Sequence, residues 1–180
     1  MNWSRGGAHL LAALALTSVV GTAPVASAAP STGAGTAVVP YSCGDDPNST
    51  VGNFDVRFEV SVVAPRLVRR HDVVDLDVSM TLLDLGPAHI DVPANGLRLT
   101  HTVGVGGTAP GSVEVTGLTN VEAVPADNPI PFTGGVGSLA TDRPGFLTFT
   151  PGYVVMSNWV GGHTYCLTDS TQVVARTLVL

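Results

Sequence analysis

The chain has 180 residues, a formal net charge of −6 at pH 7, 12% charged residues and no lysine. Such an acidic, cation-poor sequence lacks the clustered positive charge that nucleic acid or an anionic membrane surface requires. Its one basic cluster, Arg66, Arg69 and Arg70, is offset by Asp72, Asp75 and Asp77 just downstream.

The N-terminus reads as an export signal. Arg5 supplies a positive start, Leu10 to Val20 an apolar run, Pro24 a helix break and Ala26-Ser27-Ala28 a small-residue cleavage site. The run is too short for a bilayer span, so residues 1–28 are expected to be a secretory signal peptide cleaved near Ala28. The mature remainder is about 150 residues, enough for one domain with its own core. Removing Arg5 shifts the formal charge to −7, since every acidic residue lies downstream. Residues 29–40 begin with small, turn-rich APSTGAGT and read as a flexible leader, leaving 41–180 as the domain.

From Phe54 the pattern is alternation. Phe54, Val56, Phe58, Val60 and Val62 share one face, with Asp55, Arg57, Glu59 and Ser61 on the other. Val74, Leu76, Val78, Met80 and Leu82 alternate in the same way with Asp75, Asp77, Ser79 and Thr81. These are half-buried antiparallel strands. Further strands are predicted over 97–103, 112–116, 120–124, 137–141, 146–150, 153–156, 164–168 and 172–180. Turn signals stand between them, among them Ala94-Asn95-Gly96, Pro110-Gly111 and Pro151-Gly152.

Short strands at intervals of about 8–12 residues with no amphipathic helix between them predict an all-β domain. The expected architecture is an antiparallel β-sandwich of immunoglobulin-like shape with about 8–10 strands, preferred over a barrel. A true immunoglobulin domain is disfavoured, because Trp159 comes just before the second cysteine and not in an early strand between the two. Cys43 and Cys166 are the only cysteines, and in an oxidising compartment they are expected to pair, closing the sandwich with one disulfide.

Catalytic signals are sparse. No Gly-x-Ser-x-Gly elbow occurs, and Gly135-Val136-Gly137-Ser138-Leu139 has the wrong spacing for one. His71, His89, His101 and His163 are scattered and read as surface or strand-end histidines, so neither a metal nor a cofactor is expected. Tyr153, Trp159, His163 and Tyr165 fall together around the loop 158–162 and form the candidate binding patch. Trp159 itself is read by preference as a plug in the core beside the disulfide, with an exposed anchor as the alternative. Asp127 to Gly135 (DNPIPFTGG) is the best candidate for a rigid protruding loop of the kind an inhibitor uses.

The signal ending Ala-Ser-Ala-Ala-Pro, Tyr41-Ser42-Cys43, the Pro- and Gly-punctuated valine strands and Tyr165-Cys166-Leu167 together resemble small secreted β-sandwich proteins of actinobacteria such as Streptomyces. The resemblance runs from about Tyr41 to Leu180. It implies a fold and a compartment and carries no activity onto any residue.

The sequence therefore predicts a secreted, non-enzymatic module that binds or has a structural role. Its expected partner is an extracellular protein or cell-wall glycan, with no nucleic acid and no membrane span. The alternatives are an extracellular hydrolase acting on polysaccharide or peptide, and an inhibitor of such a hydrolase. A histidine bonded to a serine would favour the hydrolase; an exposed aromatic patch around Trp159 would favour binding.

Overall fold

A computed structural model describes residues 32–46, 54–84 and 90–180. The expected signal peptide and His89 lie outside them. The described residues form ten β-strands and no helix. The strands are β1 (Thr32–Gly44), β2 (Phe54–Pro65), β3 (Leu67–Val68), β4 (Val73–Leu82), β5 (Leu97–Gly107), β6 (Gly111–Thr119), β7 (Ile130–Ala140), β8 (Gly145–Asn158), β9 (His163–Leu167) and β10 (Ala175–Val179).

All ten strands belong to one sheet, in the order β3-β10-β8-β5-β6-β7-β4-β2-β1-β9, and β9 also pairs with β8. That last pairing closes a ring: β8, β5, β6, β7, β4, β2, β1, β9 and back to β8. The two separate sheets expected of a sandwich are not what the ladder shows. A closed ring of eight strands leaves an interior just wide enough to be filled by side chains. Here the filling comes from the predicted alternation. Val56, Phe58, Val60 and Val62 of β2 and Val74, Leu76, Val78, Met80 and Leu82 of β4 are all buried, opposite exposed Asp55, Arg57, Glu59, Asp75 and Asp77.

Three expectations need correction. Thr32 to Pro40 are not a flexible leader; they pair with Arg57–Pro65 as the first part of β1. The glycines that suggested flexibility serve close approach. A side chain at Gly35 would meet the Val174 carbonyl oxygen at 1.8 Å, so only glycine lets β1 pass the segment entering β10. Pro151-Gly152 is not a turn either; it lies inside the continuous strand β8. The ladder to β5 shifts register between His101 and Val103, and a Cβ on Gly152 would meet the Thr102 carbonyl oxygen at 2.5 Å. A bulge accommodates both residues. It falls where the outer edge of β8 changes partner, from β10 at Gly145–Phe149 to β9 at Val154–Ser157. Finally, 120–124 is not a strand. Only Val124 pairs, in an isolated bridge with Val92.

The disulfide lies at the closing seam. Cys43 of β1 and Cys166 of β9 stand directly opposite each other in the ladder and are covalently joined, both fully buried. Only three residue pairs join β1 to β9, Ser42–Leu167, Cys43–Cys166 and Gly44–Tyr165. The covalent bond therefore secures the shortest pairing in the ring after β6–β7.

Candidate functional site

At the disulfide end of the ring, the end of β1, the start of β2, the end of β4 and the β8–β9 hairpin surround an opening. The segment 90–97 crosses it, held by Asn120. The Asn120 carboxamide oxygen accepts from Leu97 N at 2.8 Å, and its Nδ2 donates to the carbonyls of Pro93 at 2.7 Å and Glu122 at 3.0 Å. A fully buried asparagine is tolerated because all these groups are satisfied, and it fixes where Val92 and Leu97 sit. On the other side, Asn158 shapes the hairpin tip. Its side-chain oxygen accepts from Val160 N at 3.2 Å and Gly162 N at 2.8 Å, and Gly161 takes a φ of 87°. An asparagine turn of this kind pushes the residues between its anchors outward. Those residues are Trp159 and Val160.

Between these supports lies a cavity of about 240 Å³. Its walls include the disulfide, Phe54, Val56, Phe58, Leu82, Val92, Leu97 and Met156; Ile90, Trp159 and Val160 stand at its exposed rim. Among the described residues that line it, Asn158 and Thr164 carry the only polar side chains and none is charged. Trp159 is 48% exposed and Val160 78%. The preferred expectation of a tryptophan plug is therefore corrected: the core closes without Trp159, which instead forms part of an open mouth.

The four residues of the expected patch divide between two surfaces. By strand alternation Met156, Asn158, Thr164 and Cys166 face the mouth, so Tyr153, Val155 and Ser157 of β8 and His163, Tyr165 and Leu167 of β9 face outward. Tyr153 and Tyr165 stack with ring centroids 6.3 Å apart and planes 20° from parallel. Partial burial, then the neighbouring Tyr165, holds the Tyr153 phenol above its ordinary pKa. Trp159 alone of the four belongs to the mouth.

A feature not anticipated is Ser157, whose Oγ lies 2.9 Å from His163 Nδ1. The two are directly paired across the β8–β9 hairpin. Reading that hairpin in register around Asn158–Gly162 would have placed them together. The pair is exposed, and the serine hydroxyl and the ring nitrogen lie in the nucleophile–base relation, for which a third group that orients the imidazole is the usual completion. The DNPIPFTGG segment is not a protruding loop: β7 begins at Ile130, and Ile130 and Phe132 are fully buried. Among the described residues no group of three His, Cys, Asp or Glu could hold a metal ion, and no helix is long and apolar enough to cross a membrane.

One further polar group is out of place. His101 is fully buried on β5, between Leu99 and Val103, and neither ring nitrogen has a hydrogen-bond partner. Burial pushes its pKa down to about 4, although the nearby Tyr153 backbone slightly favours the charged form without making a well-formed bond. The expectation of a surface or strand-end histidine fails for this residue. Tyr41, edge-on to Phe58 with centroids 5.3 Å apart, likewise has a buried hydroxyl without a partner, and burial holds its phenol above the ordinary range.

Comparison of the chain with protein-family models, with curated proteins and with solved structures found no match. The geometry itself defines a closed, disulfide-clasped all-β domain with an apolar mouth at the clasped end.

Proposed function

We propose that this protein is an extracellular binding module that works through the mouth at its disulfide end. The carrying observation is the apolar cavity itself: a folded core that leaves about 240 Å³ open beside exposed Trp159 and Val160. Concave, mostly apolar pockets with a few polar groups are the usual form of a small-ligand site, and the mouth of a closed sheet is a usual place for one. Export and an actinobacterial origin belong to the same proposal, supported by the N-terminal pattern, the resemblance and a disulfide that suits an oxidising compartment.

Trp159→Ala tests this reading. Because the indole is half exposed, its removal should cost no more than about 1 kcal/mol of stability. Extracellular material retained by the immobilised wild-type protein should be released by the variant. Equal retention by both proteins would contradict the mouth as the binding end.

A hydrolase reading has one observation in its favour, the Ser157–His163 contact. We read that contact as a solvated cross-strand pair. A fluorophosphonate probe, which labels activated serines, should leave Ser157 unmodified; stoichiometric labelling abolished by His163→Ala would establish the enzyme reading instead.

A further inference from the structure

We propose that the mouth cavity takes one uncharged, apolar small molecule of about ten non-hydrogen atoms, with a medium-length alkyl chain as its simplest form. This rests on the mouth being the binding end and names what enters it.

Size is the first argument. The cavity measures about 240 Å³, and an engineered apolar cavity of roughly 150 Å³ holds one benzene. The same packing admits about ten heavy atoms.

Charge is the second. None of the described lining side chains is ionisable at neutral pH, so an ion drawn in among them would lose its hydration with no counter-charge from them to replace it.

The third is the state of the polar groups. The Asn158 side-chain oxygen is already used twice by the backbone of its own loop. Among the described side chains, what is left to a ligand is the Asn158 amide and the Thr164 hydroxyl, enough to orient one hydroxyl or carbonyl at the rim. The fourth argument separates a small molecule from a peptide strand. At the wall nearest the disulfide, β9 pairs with β8 over His163–Cys166 and with β1 over Tyr165–Leu167, so Tyr165 and Cys166 beside the bridge offer no free edge to another backbone. Met156 supplies an unbranched, adaptable side chain on the wall, suited to accommodating a flexible chain.

The test is a titration of the disulfide-intact secreted protein with straight-chain primary alcohols, read by the fluorescence of Trp159. Trp3 lies in the expected signal, which leaves Trp159 as the single reporter. Affinity should rise by about fourfold per methylene, the increment expected for apolar burial, from 1-hexanol until the cavity fills near 1-decanol. Beyond that length it should stay level, with a stoichiometry of one. Thr164→Phe, which fills the cavity, should abolish the response. Val160→Asp changes an exposed rim position without touching the ladder, and should weaken 1-decanol several-fold at unchanged melting temperature. Affinity that keeps rising past 1-dodecanol, or that ignores both variants, would mean surface adsorption and would overturn the proposal. A Trp159 response to chitin oligosaccharides with none to alcohols would overturn the ligand class while leaving the mouth as the binding end. Silence of Trp159 toward both would overturn the mouth reading as well.

Discussion

Removing the Cys43–Cys166 bridge is expected to lower stability by about 5 kcal/mol. The two cysteines are 123 residues apart in sequence. In the chain-entropy account, releasing a loop of that length returns about 5 kcal/mol of conformational freedom to the unfolded chain. That is comparable with the whole net stability of a typical domain. For a domain of this size it corresponds to a fall in melting temperature of about 10–20 °C. The bridge also lies where β1 and β9 share only three residue pairs, so its loss weakens the seam that closes the ring. The measurement is calorimetry of the oxidised protein against a Cys43→Ala/Cys166→Ala variant. Since both cysteines are fully buried, reductant should act on the wild type only as fast as the structure opens. Equal melting temperatures for the two proteins would show that the ladder closes without its clasp.

Acid should destabilise the fold through His101. Its ordinary pKa is 6.5, and burial lowers it to about 4 in the folded state. Between those values the unfolded chain binds a proton that the native core refuses, so stability falls as pH falls. Above about pH 7 the residue is neutral in both states and its contribution is constant. Stability should decline as pH falls from about 6.5 to about 4, by a total of about 3 kcal/mol, and then level off. Its direct neighbours in the ladder, Val115 on β6 and Val154 on β8, carry no charge to rescue the protonated ring. The exposed Asp84, whose carboxyl Arg57 holds below its ordinary value through a 2.6 Å hydrogen bond, titrates at lower pH. His101→Leu should remove this limb of the denaturation profile and cost little at pH 7, because it also removes two unpartnered nitrogens. If wild type and His101→Leu lose stability in parallel from pH 7 to 4, His101 is not the group responsible.

Much of the fold was legible because strands write their burial as a period of two. Phe58 to Val62 and Val74 to Leu82 follow that period, and the structure buries the residues the period assigns. The same logic applied to β5 would have caught His101. Leu97, Leu99, Val103 and Val105 are all buried, and His101 is in phase with them. Polarity suggested a surface position, but in a strand the phase decides. Small residues misled in a different way. Gly33 and Gly35 resemble a linker by composition, yet their lack of a side chain is what lets β1 pass the chain entering β10. Pro151 and Gly152 resemble a turn, and the bulge that absorbs them depends on β5, β9 and β10, which no local window contains.

The candidate site was half legible for a related reason. The aromatic cluster at 153–165 marks the right end of the molecule. Local sequence does not show that a hairpin sends Tyr153, His163 and Tyr165 to one face while its tip directs Trp159 to another. Nor does it show that Ile90, Val92 and Leu97, far away in sequence, complete a cavity with them. That cavity depends on Asn120 crossing over to hold segment 93–97, a contact between distant loops.

The most direct test of the central claim is methyl NMR of the disulfide-intact protein during addition of 1-decanol. The mouth account predicts saturable shifts confined to Val56, Leu82, Ile90, Val92, Leu97, Met156 and Val160, with Val155 and Leu167 on the outward face unmoved. Shifts centred on Val155 and Leu167, beside the stacked tyrosines, with the mouth methyls silent, would contradict it.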